Sequence, residues 1–152
     1  MRIVTNSQEE TIKLGECLGR NLKSGDVLGL IGELGSGKTT LVKGIASGLR
    51  VNEKEAVASP SFVLIKEYKG RIPLYHFDLY RLDKIQDIGC LGVEEYLFDD
   101  GVCAIEWAEK MKMLLPDYLQ VNLAVKGENK REIEFCAHAK RYKALLKKIK
   151  NS

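Results

Sequence analysis

Between residues 7 and 49 the hydrophobic repeat changes period twice. Thr11, Leu14, Gly15, Leu18 and Leu22 return every three or four positions, which marks one side of a helix, and Ser7 followed by Glu10 has capping-box spacing at its start. The pattern predicts an N-terminal strand or arm and then a helix that stops near Ser24-Gly25. Residues 26–31 are a short, nearly unbroken apolar run bounded by glycines, as expected of a parallel strand covered on both faces. The helical stripe then resumes with Leu41, Val42, Ile45, Ala46 and Leu49, and Gly48 lies near its end.

Further along, residues 62–68 and 74–80 are two β-rich segments around Lys69-Gly70-Arg71-Ile72-Pro73, which predicts a hairpin. Residues 83–98 are polar and acidic with interspersed Ile85, Ile88, Leu91, Val93 and Leu97, and read as one or two short helices broken by Gly89 and Gly92. Residues 102–105 form a second buried-type strand, and residues 118–125 and 131–137 a final hairpin across 126–130. Strands alternating with helices, plus two hairpins, predict an α/β fold with a mixed, mainly parallel sheet flanked by helices.

Composition narrows this to one globular domain. A chain of 152 residues with 45% hydrophobic content can fill one core without disulfides or metal. The four cysteines, Cys17, Cys90, Cys103 and Cys136, are widely spaced, with no C-x-x-C pair or neighbouring histidine, and read as plain thiols. The N-terminus lacks a signal-peptide core and no apolar run is long enough to span a bilayer, so the expected location is the cytoplasm. Charge is unevenly placed. Residues 138–152 carry six cations and no acid, which against a total of +3 leaves residues 1–137 at −3. A basic tail is a candidate RNA or partner contact, but Tyr142, Leu145, Leu146 and Ile149 recur at helical spacing and favour a helix docked on the body.

The chemistry begins directly after the first buried strand. Gly32-Glu33-Leu34-Gly35-Ser36-Gly37-Lys38-Thr39 matches the Walker A pattern between a buried-type strand and an amphipathic helix. The glycines let backbone N–H groups turn inward around a phosphate, and the helix that follows aims its positive end at it. Lys38 adds a cation against the outer phosphates, and Thr39 offers a hydroxyl to Mg²⁺. This is the signature of a P-loop NTPase fold. No G-x-G-x-x-G is present, which excludes the dinucleotide reading. Asn129-Lys130-Arg131-Glu132 is superficially similar to the guanine-reading N-K-x-D, but it has Glu for Asp and lies in a hairpin turn, so turn chemistry explains it.

Such a site needs a carboxylate at the end of a neighbouring strand to hold Mg²⁺ directly or through water. Asp78 and Glu106 each close an apolar segment and are the two candidates; either could equally be a plain surface acid. Trp107, the sole tryptophan, follows Glu106 and could cover a base or shield the γ-phosphate, or simply pack. His76 reads as a strand residue near the site rather than a catalytic base.

Together with the Walker loop through Thr40, the runs Ser59-Pro60-Ser61-Phe62, His76-Phe77-Asp78-Leu79-Tyr80-Arg81-Leu82 and Ile105-Glu106-Trp107, in this order and length, resemble the TsaE (YjeE) family over roughly residues 5–137. These are bacterial ATPases needed for threonylcarbamoyl-adenosine (t6A) modification of tRNA. The resemblance implies that Gly32 to Thr40 hold ATP, with Lys38 and Thr39 on phosphate and Mg²⁺. It implies that Asp78 and Glu106 serve the metal and hydrolysis, that Trp107 and Arg131 lie by the nucleotide, and that Ser59 and Ser61 sit in a switch-like segment. Ser61 replaces a threonine common in the family and keeps its hydroxyl. The implied partners are the TsaD and TsaB subunits, with tRNA contacted indirectly or weakly and no membrane.

The expected activity is Mg-dependent ATP hydrolysis, slow alone and stimulated by a partner, because no arginine finger is evident apart from Arg81 as an internal candidate. Two other readings stay open. A small-molecule P-loop kinase shares size and loop, although residues 83–98 are acidic where a lid would need arginines. A nucleotide-dependent binding module would use ATP only to set conformation.

Overall fold

The computed structural model describes residues 1–60 and 64–152. Seven strands, β1 (Arg2–Thr5), β2 (Val27–Ile31), β3 (Ile65–Tyr68), β4 (Leu74–Asp78), β5 (Val102–Glu106), β6 (Leu119–Val125) and β7 (Arg131–Ala137), form one sheet in the order β1-β7-β6-β2-β5-β4-β3. The centre, β6-β2-β5-β4, is parallel, and the antiparallel pairings fall at the flanks. Only β3 and β7 run against the other strands, so the sheet is mixed but mainly parallel.

Burial follows topology. Every residue of β4 and β5 is buried, since helices cover both faces there, whereas β6 and β7 alternate in the manner of half-covered strands. On one face lie α1 (Gln8–Asn21), α2 (Lys38–Gly48) and α5 (Lys140–Lys150), packed over Leu28, Leu30, Ala104 and Val121. On the other lie α3 (Ile85–Gly89), α4 (Val93–Leu97) and a 3-10 turn (Ala108–Leu114), over Val27, Tyr75, Phe77, Cys103 and Ile105. The Cys103 thiol is pushed up to about 12 by burial, which makes it an inert core residue.

The boundaries differ from the sequence reading where local chemistry overrides periodicity. Helix α1 ends at Asn21, because Leu22 turns extended and closes the helix with its N–H on the Leu18 carbonyl, ahead of Ser24-Gly25. Strand β4 stops at Asp78, whose side chain accepts the Tyr80 N–H and turns the chain. The first part of the expected 62–68 strand lies outside the described residues, and β3 begins at Ile65.

Helices α1 and α2 cross at unusually short range. A Cβ added at Gly15 would lie 2.4 Å from the Leu41 carbonyl oxygen, and at Gly44 2.2 Å from that of Ile12. Gly19 and Gly48 repeat the arrangement one turn on, at 2.3 Å in each case. This four-residue glycine spacing on both helices brings the N-terminal end of α1 beside the phosphate loop.

Candidate nucleotide-binding site

The loop from Gly32 to Gly37 joins the end of β2 to the start of α2. Gly35 and Gly37 have φ of +78° and +102°, a region that side chains resist, and Gly37 is the N-cap of α2. The helix thereby presents unpaired N–H groups and its positive dipole end to the cavity. Lys38 is only 5% exposed. Its Nζ donates to the Gly32 and Glu33 carbonyls at 2.6 and 2.9 Å, and lies 4.2 Å from the centroid of the Trp107 ring. Burial holds its pKa below the ordinary lysine value, partly opposed by Glu106, Glu109 and Asp78.

Strand alternation sets the acids. In the parallel β4–β5 pair, Asp78 stands opposite Glu106 and His76 opposite Ala104. The period of two sends all three polar side chains to the α2 face, between apolar neighbours that point to the other. Asp78 and Glu106 are each 3% exposed. Glu106 Oε1 accepts from Thr39 Oγ1 at 2.7 Å and faces His76 Nε2 at 2.8 Å. With Glu106 as carboxylate, the ring donates from Nε2 and keeps its lone pair on Nδ1, which is buried without a partner among the described residues. The opposite tautomer would bury an N–H donor unpaired, the costlier arrangement. Asp78 accepts from the Ser59 hydroxyl and the Tyr80 N–H.

These groups open onto a cavity of about 470 Å³ lined by Leu34, Gly35, Gly37, Lys38, Thr39, Thr40, Ser59, Asp78, Glu106, Trp107 and Arg131. Arg131 reaches the Gly35 carbonyl at 3.3 Å and those of Gly127 and Glu128 at 3.0 and 3.2 Å, which ties the β6–β7 turn to the phosphate loop. Trp107, at φ +61°, packs at 5.1 Å against Tyr80, and Lys110 braces the pair by donating to the Tyr80 carbonyl.

A family profile for the threonylcarbamoyl adenosine biosynthesis protein TsaE matches residues 5–133. The chain belongs to the TsaE family. A relative from Bacillus subtilis, a tRNA threonylcarbamoyladenosine biosynthesis protein TsaE, is 43% identical over 148 residues, covering 95% of this chain and 90% of its own length. One of the same name from Treponema pallidum is 42% identical and covers 88% and 98% respectively. The crystal structure of Bacillus subtilis YdiB superposes with a TM-score of 0.86 at 38% identity, over 99% of this chain and 94% of its own, in keeping with the P-loop fold of this chain.

Of the residues that the TsaE resemblance singles out, Gly32, Glu33 and Ser36 are not on the cavity wall, and their oxygens surround the Lys38 ammonium. Ser61 lies outside the described residues. Arg81 is exposed and is not part of the cavity wall. Periodicity gave no sign that Ser7, Gln8 and Thr11 at the start of α1, or Glu128 and Asn129 in the late turn, also line it. The capping pattern marked Ser7 as a helix start, and only the α1–α2 crossing turns that start into cavity wall. Asn129 is a turn residue, and the turn itself borders the site.

Two buried carboxylates beside a hydroxyl form an all-oxygen donor set, the type suited to a hard cation such as Mg²⁺. A divalent ion there would offset the cost of holding Asp78 and Glu106 side by side out of water. The residues present therefore fit the ion. Among the described residues no helix is long and apolar enough to cross a membrane.

Proposed function

We propose that this TsaE-family chain binds and hydrolyses ATP, with Mg²⁺, in the t6A modification of tRNA, as a subunit working with TsaB and TsaD. The observation that carries the reading is the pairing of Asp78 with Glu106 across the β4–β5 register, directly beside Thr39 at the N-terminus of α2. That juxtaposition gives one cavity both an anion-binding end and an acid-lined wall, which is what phosphoryl transfer to water needs.

In this mechanism the backbone N–H groups of Gly35 to Thr39 and the Lys38 ammonium hold the phosphates. Thr39, with Glu106 or Asp78, would hold Mg²⁺, which supplies charge neutralisation at the phosphate oxygens. The carboxylate not engaged there orients the attacking water. Lys38 exchanges its carbonyl partners in the loop for phosphate oxygens, and Trp107 above it excludes water from that side. Turnover is slow alone because among the described residues no arginine lines the phosphate end except Arg131, which the loop carbonyls already engage.

The test is phosphate release from Mg-ATP by the purified protein, alone and with TsaB and TsaD of the same organism. Slow release that those subunits stimulate is expected, and Glu106→Ala should keep ATP binding while turnover falls by about 100-fold. Wild-type turnover in Glu106→Ala would move the role to Asp78. A phosphorylated metabolite in place of free phosphate would replace hydrolysis with a kinase reading, and full tRNA modification without hydrolysis would leave a binding module.

A further inference from the structure

Helix α5 divides its surface cleanly. Tyr142, Leu145 and Ile149 are buried against the body, with Leu146 half-buried beside them. At 100° per residue, Lys140, Lys143, Lys147 and Lys150 fall on one stripe facing away from that core, at intervals of three, four and three. All four are exposed, and among the described residues no acid lies within salt-bridge distance of any of them. Arg141, by contrast, is used structurally: it reaches the Gly25 carbonyl, the Tyr142 hydroxyl and Asp26.

Helix electrostatics does not account for the stripe. Cations in the last turn, Lys147, Lys148 and Lys150, do suit the negative end of the dipole. Lys140 and Lys143 occupy the first turn, where a cation is disfavoured, no acid is present, and Ala139 provides no side-chain cap. Lys143 and Lys147 are also a like-charged pair at i, i+4. The helix therefore keeps an arrangement that weakens it as a helix, on a rigidly docked element.

We propose that this lysine stripe is a docking surface for the phosphate backbone of RNA. Neighbouring lysines stand about 5–6 Å apart along a line about 15 Å long, a regular row of point charges suited to successive phosphates on a strand. The helix spends its apolar residues on the core and exposes only Ala144 between the lysines, so it lacks the hydrophobic anchor of a protein interface and the insertion face of a membrane helix. The family profile ends at residue 133, short of this helix, whereas the alignments to the Bacillus subtilis protein and to YdiB reach into it. The choice of RNA rests on the proposed role in tRNA modification, but not on ATP hydrolysis.

The experiment is fluorescence anisotropy with a labelled tRNA transcript and the full-length protein, over a series of salt concentrations. The variant combining Lys140→Ala, Lys143→Ala, Lys147→Ala and Lys150→Ala should bind at least tenfold more weakly, and the slope of log affinity against log salt should flatten by about 3. Its phosphate release should match the wild type and its thermal midpoint should be no lower, because none of the four touches the core or the cavity and alanine relieves the like-charge crowding on the helix. Should that variant fail to fold, the pair Lys147→Glu and Lys150→Glu serves instead, with a smaller change in slope. Wild-type affinity and slope in the variant would overturn the proposal. So would absence of tRNA binding by the wild type, or binding to phosphatidylserine vesicles or an acidic protein in its place. A wild-type protein that binds tRNA through the stripe yet releases no phosphate would remove the hydrolysis reading and leave this surface standing.

Discussion

At the scale of single residues, the site depends on which oxygen of Glu106 is tied down. Thr39 and His76 both engage Oε1, so the carboxylate plane is fixed and Oε2 is directed by it. His76 is fully buried, lies off the cavity wall and acts through Glu106 as a positioning residue. His76→Ala should lower kcat for ATP by about 10–100-fold with little change in KM, as expected when an orienting partner is lost. His76→Gln, whose Nε2 can reach the same oxygen, should restore most of the rate. Steady-state phosphate release separates the cases, and equal losses in the two variants would reduce His76 to a packing role. The sequence placed Asp78 and Glu106 at the ends of apolar segments and His76 within a strand near the site, because the apolar runs around them have a readable length. That His76 binds Glu106 was not readable, since strand order decides which neighbour a side chain meets.

Among the secondary elements, the α1–α2 crossing shows the same limit. Helical periodicity located both helices, the P-loop motif located the start of α2, and the two hairpins were visible from their turn residues. Gly15 and Gly48 were visible as members of those helices, yet their function as a close-approach seam with Gly19 and Gly44 required the partner helix to be known. Gly44→Ala tests the seam. On an isolated helix the change would stabilise by up to about 1 kcal/mol. Here the new methyl meets the Ile12 carbonyl oxygen, which is backbone and cannot rotate away. Overpacking of this kind costs about 1–3 kcal/mol, so the urea midpoint should fall. Because Ser7, Gln8 and Thr11 line the cavity from α1, ATP affinity should weaken as well. A raised midpoint would show that the helices part without strain.

For the molecule as a whole, α5 closes the fold at the end of the sheet opposite the phosphate loop. The Tyr142 hydroxyl accepts the Val27 N–H at 2.8 Å, at the first residue of β2, while the same strand delivers the loop at its far end. Burial of Tyr142, Leu145 and Ile149 at about 1.5–3 kcal/mol each amounts to about 5–9 kcal/mol, which is comparable with the whole stability of a domain of this size. Deleting residues 138–152 should therefore abolish the cooperative thermal transition or bring it near working temperature, and ATP binding should be lost with the fold. Tyr142→Phe separates the hydroxyl's hydrogen bonds from the packing: it orphans the Val27 N–H, also removes the hydroxyl from Arg141 and the Asp117 carbonyl, and should cost about 1–3 kcal/mol in urea unfolding. Set beside the lysine variants, these two changes separate what α5 does for the body from what its outer stripe does for a ligand. A truncated chain with the wild-type midpoint would mean that α5 rests on a body already complete, and β2 would then owe its register to β5 and β6 alone.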